Sequence, residues 1–351
     1  MFTIQMLPAA EGDCFWIEYG DKNDPYRILI DTGTPSTSDV LSEKIVSLRN
    51  KTFELFVVSH IDNDHIGGAI PFLENQPGGV KFKDVWFNGF RHLVKAGEDK
   101  LGVKQGQELT QALVEGRQPW NKAFSCGPVV VPKDGPLPVC ELEGSFKLTL
   151  LSPYSEQLEA LLPDWEQVLI KLRKKQPDLV DEVAADHLGA KLNIRSLAES
   201  EFTEDAATPN GSSIAFLAEY GTHAVLFGAD AFPSVIERSV DRLLSERKLK
   251  KLPLNAFKVC HHGSRRNTSP TLPAKLEAER YLISTDGTRH EHPNREGIAR
   301  LIFYGEPGST LVFNYHTDYT RIWNDTLLKK DHKYKTAMPD KSTPGMLIDL
   351  G

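Results

Sequence analysis

Four side chains able to ligate a metal, His60, Asp62, Asp64 and His65, crowd into six positions of the stretch Phe56-Val57-Val58-Ser59-His60-Ile61-Asp62-Asn63-Asp64-His65-Ile66-Gly67-Gly68. Imidazole nitrogens and carboxylate oxygens suit Zn, Mn or Fe better than Ca, and the absence of Cys argues against a closed structural zinc site. Residues spaced at one and two positions cannot all serve one ion from a single short loop. Two adjacent ions are therefore expected, with His60 and Asp62 facing one and Asp64 and His65 the other. The competing reading is an Asn/Asp-rich turn whose carboxylates bond the backbone and whose histidines are incidental.

Ligands need a rigid base, and residues 55–58 form a short, apolar, β-rich run that reads as a buried strand ending at the cluster. Three earlier runs, 2–7, 14–19 and 26–30, read as an antiparallel meander whose third strand ends on Asp31. Asp31 is either an Asx-turn residue or a partner of the ligands. Helices are expected over 38–48, capped by Ser36 or Ser38, and over 66–73, with a returning strand over 80–87. That alternation builds an α/β layer. A helix over 107–114 and strands over 129–131, 139–142 and 146–151 follow.

Leu161, Leu162, Trp165, Val168, Leu169 and Leu172 then share one helical face, and a second helical piece is expected over 179–188. Residues 155–208 read as a mostly helical insertion over the sheet layers, acidic and loop-like from 199 to 209. The sheet resumes with a hairpin of 213–220 and 224–227, and the second strand runs on to Asp230. A strand over 257–260 ends in His261-His262-Gly263-Ser264. Helices over 234–248 and 295–303 and strands over 281–284, 309–314 and 346–350 complete the pattern. Asp31, the 60–65 cluster, Asp230 and His261-His262 all stand at strand ends, a recurrence that turn chemistry does not explain.

These motifs resemble the metallo-β-lactamase-fold hydrolase superfamily, four-layer αββα sandwiches with a binuclear site along one edge of the sheets. The resemblance covers a single domain, 1–351, apart from the insertion and a C-terminal extension from about residue 326. The superfamily's usual H-x-H-x-D-H is here H-x-D-x-D-H, with Asp62 in place of the second His. With Gly67-Gly68 and the later H-H-G-S, it is similar to the branch containing the hydrolase domain of bacterial DNA-uptake channel proteins and the phosphorylcholine esterases.

The resemblance implies that His60, Asp62 and Asp230 hold one ion. Asp64, His65, His261 and the bridging Asp230 would hold the other, with His262 as neighbour or substrate contact and Asp31 in an orienting role. Many members carry a further His before the bridging Asp, but residues 208–213 read Thr-Pro-Asn-Gly-Ser-Ser, so Asn210 and Ser212 stand near that place. The first ion is expected to be ligand-poor or completed by water. His292, in a His-Pro pair, resembles that of the DNA-uptake branch and is either a general acid for the leaving oxygen or a capping residue. Arg265 and Arg266 either grip a phosphate through paired hydrogen bonds or face solvent.

The resemblance thus implies a phosphodiesterase or nuclease using two divalent ions, Zn or Mn, with Asp64, His262 and His292 carrying turnover. DNA or RNA is the first substrate class, a small phosphodiester the next, then a lactam or thioester. An inactive regulatory domain that keeps metal for structure is the non-enzymatic alternative. A net charge of -7 does not advertise a nucleic-acid surface, though it leaves room for a basic lining. No apolar run approaches the roughly 18 residues of a membrane span, so no membrane partner is expected. No signal peptide is expected, and four scattered cysteines without a C-x-x-C pair make a cytoplasmic location the simplest expectation.

Overall fold

The computed structural model describes residues 1–93, 110, 113, 116, 118–165 and 192–351. The expected helices over 107–114 and 179–188, and most of that over 161–172, lie outside the described residues. No helix among the described residues is long and apolar enough to cross a membrane.

Two sheets carry the fold. The six-stranded one runs, edge to edge, Met346–Asp349, Phe2–Met6, Phe15–Gly20, Pro25–Ile30, Leu55–Val57 and Val85–Trp86. The eight-stranded one runs Lys335–Ala337, Thr310–Phe313, Arg280–Ile283, Ala256–Lys258, His223–Phe227, Ala215–Tyr220, Phe146–Ser152 and Val139–Leu142. Residues from 326 onward therefore supply an edge strand to each sheet.

Alternation along the strands decides the layers. Ile28 and Ile30 face the apolar space between the sheets, with Phe15, Phe216, Leu150 and Phe227, while Leu29 and Phe56 face the other way. There they meet Leu41 and Ile45 of the helix Thr37–Val46 and Phe72 of the helix Ala69–Asn75. The far side of the larger sheet is covered by the helices Pro233–Arg247, through Val235, Ile236 and Val240, and Arg295–Tyr304, through Ile298 and Leu301. The molecule is an αββα sandwich. Strands Pro25–Ile30 and Leu55–Val57 are parallel, as are His223–Phe227, Ala256–Lys258 and Arg280–Ile283. The loops leaving them converge at one edge, where α/β sheets gather ligands.

Four expectations are corrected. The strand over 80–87 divides, Lys81–Phe82 pairing with Thr52–Phe53 and Val85–Trp86 with Leu55–Val57. Between them Asp84 accepts hydrogen bonds from the backbone of Val85, Lys122 and Ala123 and from the Trp86 indole, which redirects the chain. Residues 129–131 form only a bridge, Val131 to Tyr154, because the Asn88 amide takes both the N–H and the C=O of Val129 that a ladder would use. The helix expected over 66–73 starts earlier, with a single turn Asn63–Ile66 before Ala69–Asn75. Ser36 stands at the start of Thr37–Val46 without capping it, its hydroxyl paired with that of Thr34.

The insertion begins with the helix Ser155–Leu161, and Trp165 is fully buried in the apolar cluster outside the smaller sheet. Its last described helix, Ile194–Ala198, packs on Arg295–Tyr304.

Candidate metal centre

The chain leaves strand Leu55–Val57 through Ser59 and His60, then turns at Asp62, whose extended backbone (φ -72°, ψ 146°) starts the helix Asn63–Ile66. An aspartate at that position normally caps the helix. Asp62 makes no such bond, and its Oδ2 lies 3.5 Å from His60 Nε2. In place of the cap, the carboxylate sits beside the His60 ring. The helical turn that follows brings Asp64 Oδ2 to 3.8 Å from His65 Nε2.

The second arm arrives from the larger sheet. Asp230 follows Ala229, and His261 and His262 follow strand Ala256–Lys258, all three of Ala229, His261 and His262 having positive φ (44°, 45° and 53°). Four imidazole Nε2 atoms surround one oxygen, Asp230 Oδ2: His65 at 3.4 Å, His261 and His262 at 3.7 Å and His60 at 3.9 Å. Every one of these rings is anchored through its other nitrogen. Nδ1 of His60 faces Ser59 Oγ (3.0 Å), that of His65 faces Asp31 Oδ2 (2.8 Å), that of His261 faces Asn267 Oδ1 (2.9 Å) and that of His262 faces the Ser284 carbonyl (2.6 Å). Such anchoring fixes the ring and leaves Nε2 for a metal.

The two neighbouring histidines sit differently from the expected arrangement. His262 Nε2 lies 3.2 Å from Asp64 Oδ2 and 3.3 Å from His65 Nε2, so His262 completes the Asp64, His65, Asp230 set. His261 reaches Asp230 Oδ2 at 3.7 Å with Asn210, Asn267 and Asp205 about its Nδ1, and is available to the first set, which lacks a histidine. Residue type does not reveal this, because the two rings are held by different partners, Asn267 for His261 and the Ser284 carbonyl for His262.

Around the ligands stand several residues that sequence reasoning passed over. Asp13 meets His262 Nδ1 at 3.5 Å and His65 Nδ1 at 3.9 Å. It is also within ligand distance of His65, Asp230 and His262 as a group. Because it approaches the rings on their anchored edges and is paired with Lys258, Asp64 makes the better fourth ligand. The Asp13 N–H donates to the Asp64 carbonyl (3.2 Å), and a Cβ at Gly12 would fall 1.8 Å from that oxygen, so only glycine permits this approach. Asp205, from the acidic end of the insertion, accepts from Asn210 Nδ2 (2.6 Å) and Asn267 Nδ2 (3.3 Å) and lies 3.7 Å from His261 Nδ1. Buried Arg300 ties that loop down by donating to the carbonyls of Ser200, Glu201, Arg265 and Thr268. One charge in an apolar strand, Lys258, was a readable signal; Asp205, one acid among several, was not.

The remaining expected residues are placed as follows. Asp31 accepts from the Ser59 N–H and hydroxyl (both 2.7 Å) besides His65. Asn210 Nδ2 also lies 3.3 Å from His261 Nδ1. The Ser212 hydroxyl donates to the Pro209 carbonyl, and Arg265 faces Glu296 at 3.8 Å. Arg266 donates its backbone N–H to Ser264 Oγ. The His292 ring is buried, 5.2 Å from His261 edge-on and 6.3 Å from His262, and its Nδ1 makes no hydrogen bond.

Burial opposes every charge here, yet the charges sustain one another. Asp230 is held well below the usual carboxylate range against that burial by His65, His261 and His262. His262 is pushed up to about 10 by Asp230 and Asp13 despite desolvation. His292, desolvated and facing His261 and His262, is driven the other way, well below its ordinary value. Six carboxylates, Asp13, Asp31, Asp62, Asp64, Asp205 and Asp230, crowd the centre around one ammonium, Lys258, an excess of acidic groups that divalent metal would offset. His60 Nε2 and Asp230 Oδ1 are buried without a hydrogen-bond partner, an arrangement that a ligand resolves. The donor set fits divalent metal.

Residues 8–88 match the family model of the metallo-beta-lactamase superfamily. Comparison with the sequences of curated proteins yields no match. Among solved structures, the metallo-beta-lactamase fold protein YhfI from Bacillus subtilis is 12% identical, covering 99% of this chain and 98% of its own, with a TM-score of 0.43. Zn(2+)-bound PqqB from Methylobacterium extorquens is 12% identical over 100% of both chains, with a TM-score of 0.44. CmlA, a diiron beta-hydroxylase from Streptomyces venezuelae, is 10% identical with a TM-score of 0.44; 99% of this chain matches 54% of CmlA. The matched segment, residues 8–88, carries Asp13, Asp31 and the cluster from His60 to His65, and it lies within an αββα sandwich whose strand ends gather histidines and aspartates at one edge.

Proposed function

We propose that the chain is a metal-dependent phosphodiesterase, with nucleic acid as the first substrate class to examine. The observation that carries this reading is the convergence of four anchored imidazoles on Asp230 Oδ2, with Asp62 and Asp64 flanking them. His60, Asp62, Asp230 and His261 would hold one cation and Asp64, His65, His262 and Asp230 the other. Divalent cations there would lower the pKa of water to roughly 7 and neutralise charge developing on a phosphoryl oxygen.

The protein's own groups do the positioning. Asp31, Asn267 and the Ser284 carbonyl hold the rings in one tautomer, with Nε2 inward. His292, neutral and with Nδ1 unengaged, offers a hydrogen bond to the leaving oxygen. Asp62 in place of a histidine makes the ligand set more carboxylate-rich, which suits Mn or Fe as well as Zn. The motif H-x-D-x-D-H with H-H-G-S supports the phosphodiesterase-like branch over the lactamases.

The test is metal analysis of the purified chain, followed by turnover of a generic phosphodiester and of single- and double-stranded DNA, with and without Mn. A lactam is assayed on the same preparation. Two bound equivalents with phosphodiester turnover support the reading, while lactam turnover alone, or metal without any hydrolysis, sinks it.

A further inference from the structure

Lys258 closes the strand Ala256–Lys258 and is the one fully buried lysine among the described residues, 1% exposed. An ammonium at that depth is costly unless its donors are satisfied. Its Nζ donates to the Ala229 carbonyl (2.9 Å), pairs with Asp13, and stands 3.6 Å from Asp230 Oδ1. Burial works against its charge, but Asp13 and Asp230 outweigh that and keep it protonated. Two of these three contacts are made to the corner formed by Ala229, with its positive φ, and Asp230. Asp230 Oδ1 accepts no hydrogen bond, and the opposite oxygen, Oδ2, is the one among the imidazoles. The third contact, Asp13, reaches the anchored edges of His65 and His262.

We propose that Lys258 is the positioning residue of the centre. From beneath, its ammonium holds the Asp230 carboxylate with Oδ1 turned down and Oδ2 turned up between the two cation sites, and Asp13 carries the same constraint to His65 and His262. The inference rests on the reading that the cluster binds divalent cations. The rival role is narrower, with Lys258 serving only as the counter-ion of Asp13. The two roles differ in sign. Removing a positive charge by itself would tighten cation binding, whereas releasing Asp230 would weaken it.

The experiment measures Mn(II) and Zn(II) binding by chelator competition on the full chain, on Lys258→Met and on the charge-balanced Asp13→Asn/Lys258→Met, with thermal melts alongside. Lys258→Met is expected to weaken at least one equivalent by roughly 10–100-fold, and the double variant is expected to stay weak because Asp230 is still unheld. Wild-type or tighter affinity in Lys258→Met overturns the proposal, as does recovery of wild-type affinity in the double variant. Where Lys258→Met does not fold, the double variant is compared with Asp13→Asn alone, binding weaker than in Asp13→Asn supporting the proposal and equal or tighter binding overturning it. A wild-type chain that binds neither ion overturns the cation reading itself, a failure visible before any variant is compared.

Discussion

The two arms of the centre reach the same carboxylate by opposite means. From Ser59 to Gly68 no residue has positive φ; His60 leaves the strand, and the extended Asp62 followed by one helical turn presents the other three ligands. On the other arm Ala229, His261 and His262 all occupy the left-handed region, which costs a non-glycine residue about 1–3 kcal/mol unless its surroundings over-determine it. They do so here: the His261 N–H donates to the Ala229 carbonyl (2.9 Å), the His262 ring is held by Ser284, and Asn267 joins the Asp230 carbonyl to His261. The first arm is a local structure that happens to be supported. The second exists only because of its support.

The largest effect that tests this contrast is at the point the arms share. Asp230→Ala is expected to abolish binding of both cations and reduce turnover to background, read by metal analysis and the phosphodiester assay. Retention of one tight equivalent would mean that an arm can hold an ion by itself. Next come the paired histidines. His262→Ala should lose the cation shared with Asp64 and His65, whereas His261→Ala should keep that ion and weaken the other. Equal losses of both ions in the two variants would erase the distinction drawn between them.

Gly12→Ala probes how much the first arm owes to its neighbour, since the new Cβ would meet the Asp64 carbonyl at 1.8 Å. Overpacking of this kind costs about 1–3 kcal/mol, and a denaturant titration should show it together with weaker binding at the Asp64 site. An unchanged midpoint would show that the helical turn yields freely. The smallest effect is expected from Asp205→Asn, which keeps the shape but removes the charge beside Asn210, Asn267 and His261. About a tenfold loss at the His261 site is expected in chelator competition, with the Asp64 site unmoved. A loss at both sites would make the arms one cooperative unit.

Much of the scaffold was legible because it is written at short range. The strands 2–7, 26–30, 139–142 and 309–314, the hairpin around Gly221, and the helix carrying Val235, Ile236 and Val240 lie close to where periodicity and turn residues place them. Residues 80–87 were misread as one strand because Asp84, whose partners include Lys122 and Ala123 far along the chain, redirects them. Asp62 was informative by type, and its uncapped carboxylate agrees with a ligand's task.

What the amino-acid order determined by itself was the clustering of His60 to His65 after a buried strand, and the appearance of Asp230 and the histidine pair at other strand ends. Tertiary structure alone decided that His262 joins Asp64 while His261 meets Asp205 and Asn267, that Asp13 and Asp205 come from distant loops to face those rings, and that Lys258 is buried against Asp13 and Asp230 rather than in solvent. The physical reason is that a ring's direction depends on backbone φ and on which oxygen holds its Nδ1. Both are set by packing between the two sheets, and neither leaves a trace in residue spacing.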